Sequence, residues 1–374
     1  MKKIHWLNTA FLFGTFFTTL IGVPLYFWHY GLDWFQTILF LFFFYSTGMS
    51  ITLGYHRLFS HLTFNASMPV RLYTLIFGAA AFEGSALEWC ADHRRHHKFV
   101  GHEEDPYDIG KGFWHAHIGW LLFRHGPDTP LTWVRDLQKD KLVVWQHRYF
   151  VPLGVFVSFV LPPAIGYAWG GWPSALGSFL LAGVARVVIV HHMTFCINSL
   201  CHWTGSRPYS SESSARDSFF MAIFTFGEGY HNYHHEFQHD YRNGVKPWQF
   251  DPTKWAIRAL QMFGLVRNLR TVPRAKILQA EITEQRRRID KQLAANGSDG
   301  ALMQILHSAQ VALDEAFAKW AHLQEEFREV RDKRIKANRE RREVVKRQLR
   351  EASERLGDAL RHWRETCGML ELAG

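Results

Sequence analysis

The sequence predicts an all-α integral membrane protein. Four transmembrane helices form two hairpins, a helical cap lies on the cytoplasmic side, and a C-terminal α-helical hairpin or coiled-coil extension follows. Three observations carry this expectation. Four apolar runs each approach the ~20 residues that a helix needs to cross the hydrocarbon core. Lysine and arginine avoid the two short connections between those runs and crowd the long segments. From about Lys276 onward the sequence turns charged, with apolar positions alternately three and four apart.

The 374 residues are 47% hydrophobic and 16% aromatic. Mean hydropathy is nevertheless -0.16, so the apolar residues are concentrated in segments. The first run, about 9–28, follows Met1-Lys2-Lys3. It is longer than the apolar part of a signal peptide, and no A-x-A cleavage site follows it. The second covers about 34–53, and Trp28, Tyr30 and Trp34 flank the tight connection, as interfacial aromatics do. The third and fourth runs cover about 150–169 and 175–197. Gly170-Gly171-Trp172-Pro173 joins them as a turn. Apart from Arg186 in the fourth run, every Lys and Arg lies at the N-terminus, in 54–149 or in 198–374. Both termini and both long segments are therefore expected in the cytoplasm. Met68–Trp89 is apolar but contains Glu83 and Glu88, so it is expected to be a helix lying in or near the interface rather than a fifth span.

Residues 1–275 are expected to form the membrane unit and 276–374 the extension. After a break at Asn296–Gly300, the positions Leu302, Leu306, Ala309, Leu313, Ala316, Trp320, Leu323, Phe327 and Val330 keep heptad spacing. The pattern lapses over Arg331–Arg342 and resumes at Val345, Leu349, Ala352, Leu356, Ala359 and Trp363. Cys90, Cys196, Cys201 and Cys367 form no C-x-x-C pair, which fits reduced thiols on the cytoplasmic side. The net charge of +9 suits an anionic membrane surface or an acidic protein partner; no nucleic acid is expected.

Chemistry enters with the histidines. His93, His96 and His97 form H-x-x-H-H, and on a helix these positions share a face, so their rings are expected to reach one small volume. His231, His234 and His235 repeat the pattern, His56 and His61 form H-x-x-x-x-H, and Asn198 and His202 stand at i, i+4. A lone buried histidine is usually a satisfied core residue. Nine imidazoles and an asparagine at one membrane face are not explained that way. One metal takes at most about six ligands, so nine imidazoles imply two metals.

The boxes His56–His61, His93–His97 and His231–His235 resemble those of the membrane fatty acyl desaturases, of the acyl-CoA, carbon-nine type. Gly54-Tyr55-His56-Arg57, Trp89, Asp105-Pro106, Gly119-Trp120, Asn198-Ser199 and Gly227-Glu228-Gly229 support the resemblance, which covers about residues 8–260. It implies two irons ligated by His56, His61, His93, His96, His97, His202, His231, His234 and His235, with Asn198 reaching one iron through water. It also implies a bent substrate tunnel beside the metals, lined by Trp89 and Thr194. Two departures stand out: animal members have Gln-Asn where this chain has Glu83-Gly84, and Arg where it has Ala91. These leave the acyl carrier open between coenzyme A, a carrier protein and a lipid.

Removing hydrogen from an unactivated methylene is beyond acid–base side chains and needs O2 activated at a redox metal, for which imidazole-ligated iron is suited. The expected activity is thus insertion of a cis double bond into a saturated acyl chain, using O2 and two electrons. Asp92, Asp105 and Glu228 are candidates to hydrogen-bond the far ring nitrogens. His191-His192, near the end of the fourth run, is a candidate for a supporting or tunnel role, and His102, His115 and His117 are not expected to ligate. The extension has no haem or nucleotide signature, so electrons are expected from a separate ferredoxin, rubredoxin or cytochrome with its reductase. Arg94, Arg95 and Lys98 would suit docking of such an acidic carrier. The closest rival is a hydroxylase of the same histidine-box superfamily. A metal transporter would need ionisable residues facing one another within the spans, where Arg186 is alone. A carboxylate-bridged iron protein needs Glu-x-x-His on two helices; Glu228–His231 and Glu236–His239 lie too close in sequence for that.

Overall fold

The computed structural model describes residues 3–124, 128–296, 300–332 and 339–373. In chain order the main helices are α1 (Trp6–Tyr30), α2 (Trp34–Ser60), α3 (Met68–Ala79), α4 (Ala86–Phe99), α5 (Lys141–Arg148), α6 (Phe150–Trp203), α7 (Phe219–Phe224), α8 (His231–Glu236), α9 (Pro252–Met262), α10 (Arg274–Asn296), α11 (Gly300–Asp332) and α12 (Arg339–Ala373). Two short antiparallel pairs tie distant segments: Lys3–Ile4 with Phe123–Arg124, and Asn65–Ala66 with Val266–Arg267.

Among the described residues three helices, α1, α2 and α6, are long and apolar enough to cross a membrane. α6 has two arms. At Gly170 and Gly171 the backbone leaves helical geometry, and Gly171 takes φ 65°, which glycine adopts without a side-chain clash. The arms pack tightly, since a Cβ on Gly183 would lie 2.7 Å from the Ser158 carbonyl oxygen. The helices outrun the apolar stretches that announced them. α2 continues past Leu53, and every residue from Ser50 to Ser60 is buried. This polar end is invisible to a hydropathy pattern because protein, not lipid, surrounds it. Ile51, Tyr55 and Leu58 of α2 join Leu75 of α3, Leu87 and Cys90 of α4, Val143 of α5 and Ile257 of α9 in one core. Met68–Trp89 is not one helix: α3 ends at Ala79, and the chain turns through Phe82 (φ 57°) before α4 begins.

The chain divides into two compact units, Met1–Pro273 and Arg274–Gly374. In the second, Ile282 and Ile289 of α10 share a core with Leu313 and Trp320 of α11 and Leu356 and Trp363 of α12. This extends the expected hairpin by a third helix, whose two core isoleucines stand seven residues apart on one face. The expected break at Asn296–Gly300 and the lapse over Arg331–Arg342 fall largely on residues 297–299 and 333–338, outside the described residues, as does the side chain of Leu302. A chain ending at Pro273 is expected to stay monodisperse in detergent. One ending at Asn296 should aggregate on size exclusion, because it strands the apolar face of α10.

Candidate metal centre

The histidines sit on or just beyond the ends of three helices, α2, α4 and α6, and on the short helix α8. His56 lies on the buried end of α2 and His61 just beyond it. α4 opens with a capping box: Ser85 Oγ accepts from the Glu88 N–H at 3.3 Å, and the Ser85 N–H donates to Glu88 Oε2 at 2.9 Å. This sets the phase of the turns carrying His93, His96 and His97. His202 is in the last turn of α6. On α8, Asp217 Oδ1 accepts from the N–H groups of Asn232 and Tyr233 at 2.7 and 3.1 Å, capping the short helix that bears His231, His234 and His235.

The nine imidazoles form two groups. His56, His61, His93, His97 and His234 make one, and His96, His202, His231 and His235 the other; within each group the facing ring nitrogens lie within 4.8 Å of one another. His93, His96 and His97 therefore do not share one volume. On α4 the i, i+4 pair turns to the first group and the i+3 residue to the second. On α8 the i, i+4 pair His231 and His235 turns to the second, and His234 to the first. Each H-x-x-H-H helix runs between the two groups and serves both.

The spacing fits a cation. His61 Nε2 is 2.8 Å from His93 Nε2, and His231 Nε2 is 3.0 Å from His202 Nε2. Separations of about 3 Å are those of imidazoles that share an ion at about 2.1 Å. His234 Nε2 lies 2.9 Å from both His56 Nε2 and His97 Nε2. A ring nitrogen carries one hydrogen or one lone pair, so hydrogen bonding satisfies at most one of these contacts, whereas a shared cation satisfies both. Burial first, and neighbouring rings second, hold His61, His93, His97, His234 and His235 well below the ordinary histidine range. Burial likewise takes His231 to about 3. These rings are neutral at pH 7, the form that ligates metal.

Two of the three candidate carboxylates reach far ring nitrogens. Both Asp105 oxygens lie 2.9 Å from His96 Nδ1, and Glu228 Oε2 lies 2.7 Å from His56 Nδ1. Burial pushes Glu228 up, but His56 and Arg57 outweigh it and hold the carboxyl at about 2. Asp92 stands apart. It occupies the turn position before His93 and faces Thr129 and Arg95, with burial pushing it up to about 6. Asn198 is half-buried one turn before His202 on α6. His102, His115 and His117 belong to neither group. His191 Nε2 lies 2.7 Å from the Ala81 carbonyl oxygen, and His192 Nδ1 lies 3.1 Å from His117 Nε2. Arg94 is not free to dock a carrier, since it donates to Phe59 O, Ser60 O, Trp133 O and Asp136.

Trp89 and Thr194 meet at a residue singled out only as a departure. Trp89 stacks on His93, with centroids 4.8 Å apart. Its Nε1–H donates to Glu83 Oε2 at 3.2 Å, and Thr194 Oγ1 donates to Glu83 Oε1 at 2.8 Å. Burial pushes Glu83 up to about 7 against those two donors. A folded-state value above the unfolded one means stability is fully present in acid and lost as pH rises from about 4.5 toward 7. Glu83→Gln is therefore expected to stabilise the protein by about 3 kcal/mol at pH 8 and by less than about 1 kcal/mol at pH 5; thermal melting in detergent at the two pH values checks this. Sequence reasoning also missed Arg57, Asn243 and Asp251 around Glu228, and Ser214, whose Oγ lies 2.8 Å from His202 Nδ1. Arg57 adjoins a box histidine, and Asp251-Pro252 is a recognisable helix start. Neither signal alone tells what the side chain holds.

A family model described as fatty acid desaturase matches residues 32–267. The chain is 40% identical over 296 residues to a Schizosaccharomyces pombe protein named "Probable acyl-CoA desaturase", covering 78% of this chain and 60% of that one. It is 38% identical over 301 residues to acyl-CoA desaturase 1 of Saccharomyces cerevisiae, covering 78% and 57%. It is 35% identical over 275 residues to a Delta(9)-fatty-acid desaturase of Caenorhabditis elegans, covering 72% and 80%. The chain thus spans 60% or less of the length of the two fungal relatives.

Proposed function

The chain belongs to the fatty acid desaturase family, and from that premise we propose that it is a membrane-bound acyl desaturase that inserts a cis double bond, at carbon nine, into a saturated long-chain acyl group. The observation that carries this reading is the division of nine imidazoles, seven of them buried, into a group of five and a group of four. His56, His61, His93, His97 and His234 would hold one iron, and His96, His202, His231 and His235 the other, with Asn198 beside the second. When bound, the two irons activate O2 for hydrogen removal from an unactivated methylene. The chain's own task is positioning and exclusion of water. Asp105 and Glu228 orient ligand rings, while Trp89, held between Glu83 and His93, and Thr194 wall the place where an alkyl chain would lie.

α1, α2 and the two arms of α6 provide four spans, with both termini and the metal site on the cytoplasmic side. The acyl group arrives on coenzyme A, as the names of the relatives suggest, or on another carrier. Electrons come from a separate carrier, for which Arg95 and Lys98 remain docking candidates once Arg94 is assigned to the fold. Expression in a host lacking unsaturated lipids, followed by mass spectrometry of its fatty acids, tests the reading. A new cis-alkene dependent on iron is expected. An alcohol instead would mark a hydroxylase, and no product from iron-loaded protein supplied with a reductant would overturn the assignment.

A further inference from the structure

Behind His56 stands a carboxylate that no histidine box contains. Arg57 is 1% exposed, and each of its five N–H groups has an acceptor. Nε and Nη2 donate to Glu228 Oε1 at 3.2 and 2.9 Å. Nη1 and Nη2 donate to Asp251 Oδ2 and Oδ1 at 3.1 and 3.0 Å, and Nη1 also donates to the Tyr241 carbonyl at 2.8 Å. Glu228 Oε2, 2.7 Å from His56 Nδ1, accepts from Asn243 Nδ2 at 2.6 Å. The side chain of Glu228 is thus held from outside by two residues, Arg57 and Asn243.

Both depend on Asp251. Its Oδ2 accepts from the N–H groups of Asn243 and Gly244, each at 3.0 Å, and its Oδ1 caps α9 through the Lys254 N–H at 2.9 Å. It also abuts the backbone that carries Glu228: a Cβ on Gly227 would lie 2.5 Å from Asp251 Oδ1. Asp251 is fully buried and fixed by main-chain groups, so it is the rigid member of the set.

We infer that Asp251 is a positioning residue for the five-histidine centre: it fixes Arg57 and Asn243, these fix Glu228, and Glu228 turns the His56 ring so that Nε2 faces the metal. This rests on the metal reading of that group. Without the Asp251 charge, Arg57 loses a two-point hold and Glu228 inherits its movement, so the defect appears at one centre and spares the other.

The test is cobalt(II) titration of the full-length apoprotein in detergent, read by the visible absorption of each bound equivalent. Asp251→Asn keeps the shape and removes the charge. It is expected to weaken one equivalent about 10-fold, within the range known for residues that support ligands, to shift that equivalent's absorption, and to leave the other unchanged. In a Glu228→Gln background the same substitution should add nothing. Asn243→Ala removes one of the two hands on Glu228 without touching the α9 cap and should weaken the same equivalent, which keeps the inference testable if Asp251→Asn does not fold. Unchanged affinity and absorption in Asp251→Asn, or in Asn243→Ala, would overturn the relay while leaving the metal reading intact. A multiplied effect in the double variant would also overturn it. A wild-type chain that takes up no cobalt would overturn both.

Discussion

Replacing His97 by alanine is expected to cut bound iron from two equivalents to one or fewer and to abolish desaturation. His97 Nε2 lies 2.9 Å from His234 Nε2 in the five-histidine group. Structural metal sites draw roughly 10–16 kcal/mol from about four ligands, so one imidazole is worth about 3 kcal/mol, or ~10²-fold in affinity. His235→Ala should do the same to the other group. His102→Ala, outside both, should leave iron content and activity unchanged. Elemental analysis of purified protein beside product assays checks all three, and full iron retention in His97→Ala would remove that residue from the ligand set.

Replacing Arg57 by alanine should be the most destabilising single change in the first unit. It would strip buried Glu228 and Asp251 of the guanidinium with which both pair. Breaking a buried ion pair by deleting one partner costs about 3–5 kcal/mol, so the protein should fail to accumulate or should melt far below wild type in detergent. Arg57→Lys should recover only a fraction. An ammonium brings three donors to a place where five N–H groups are used, and it cannot span two carboxylates in one plane. A lysine variant that melts like wild type would show that charge alone, not the forked geometry, holds this region.

Much of the site was legible because its histidines are local. H-x-x-H-H places three rings within two helical turns, and no tertiary knowledge is needed to see that they can meet metal. What could not be read was their allocation. Whether His96 joins His93 and His97 or turns away depends on where α4 lies between α2 and α8, which is set by contacts such as Cys90 against Tyr55. The same limit hid Asp251, a partner of Arg57 from 194 residues away. Asp92 misled for the opposite reason: adjacent in sequence to a box histidine, it is turned by helical geometry toward Thr129. Among the helices, the apolar runs announced those in contact with lipid. The buried polar end of α2, which carries His56, runs on past the second apolar run of about 34–53, where hydropathy gives no sign that the helix continues.

Because α4 and α8 each serve both groups, neither group can be completed before the other has most of its members. Residues 56 to 235 must all be in place first, so iron loading should come late in biogenesis and almost all at once. A nascent chain released before residue 231 would hold four of the five rings of one group but only two of the four of the other, and so would complete neither. Iron occupancy would then serve the cell as a readout of finished assembly as well as of metal supply.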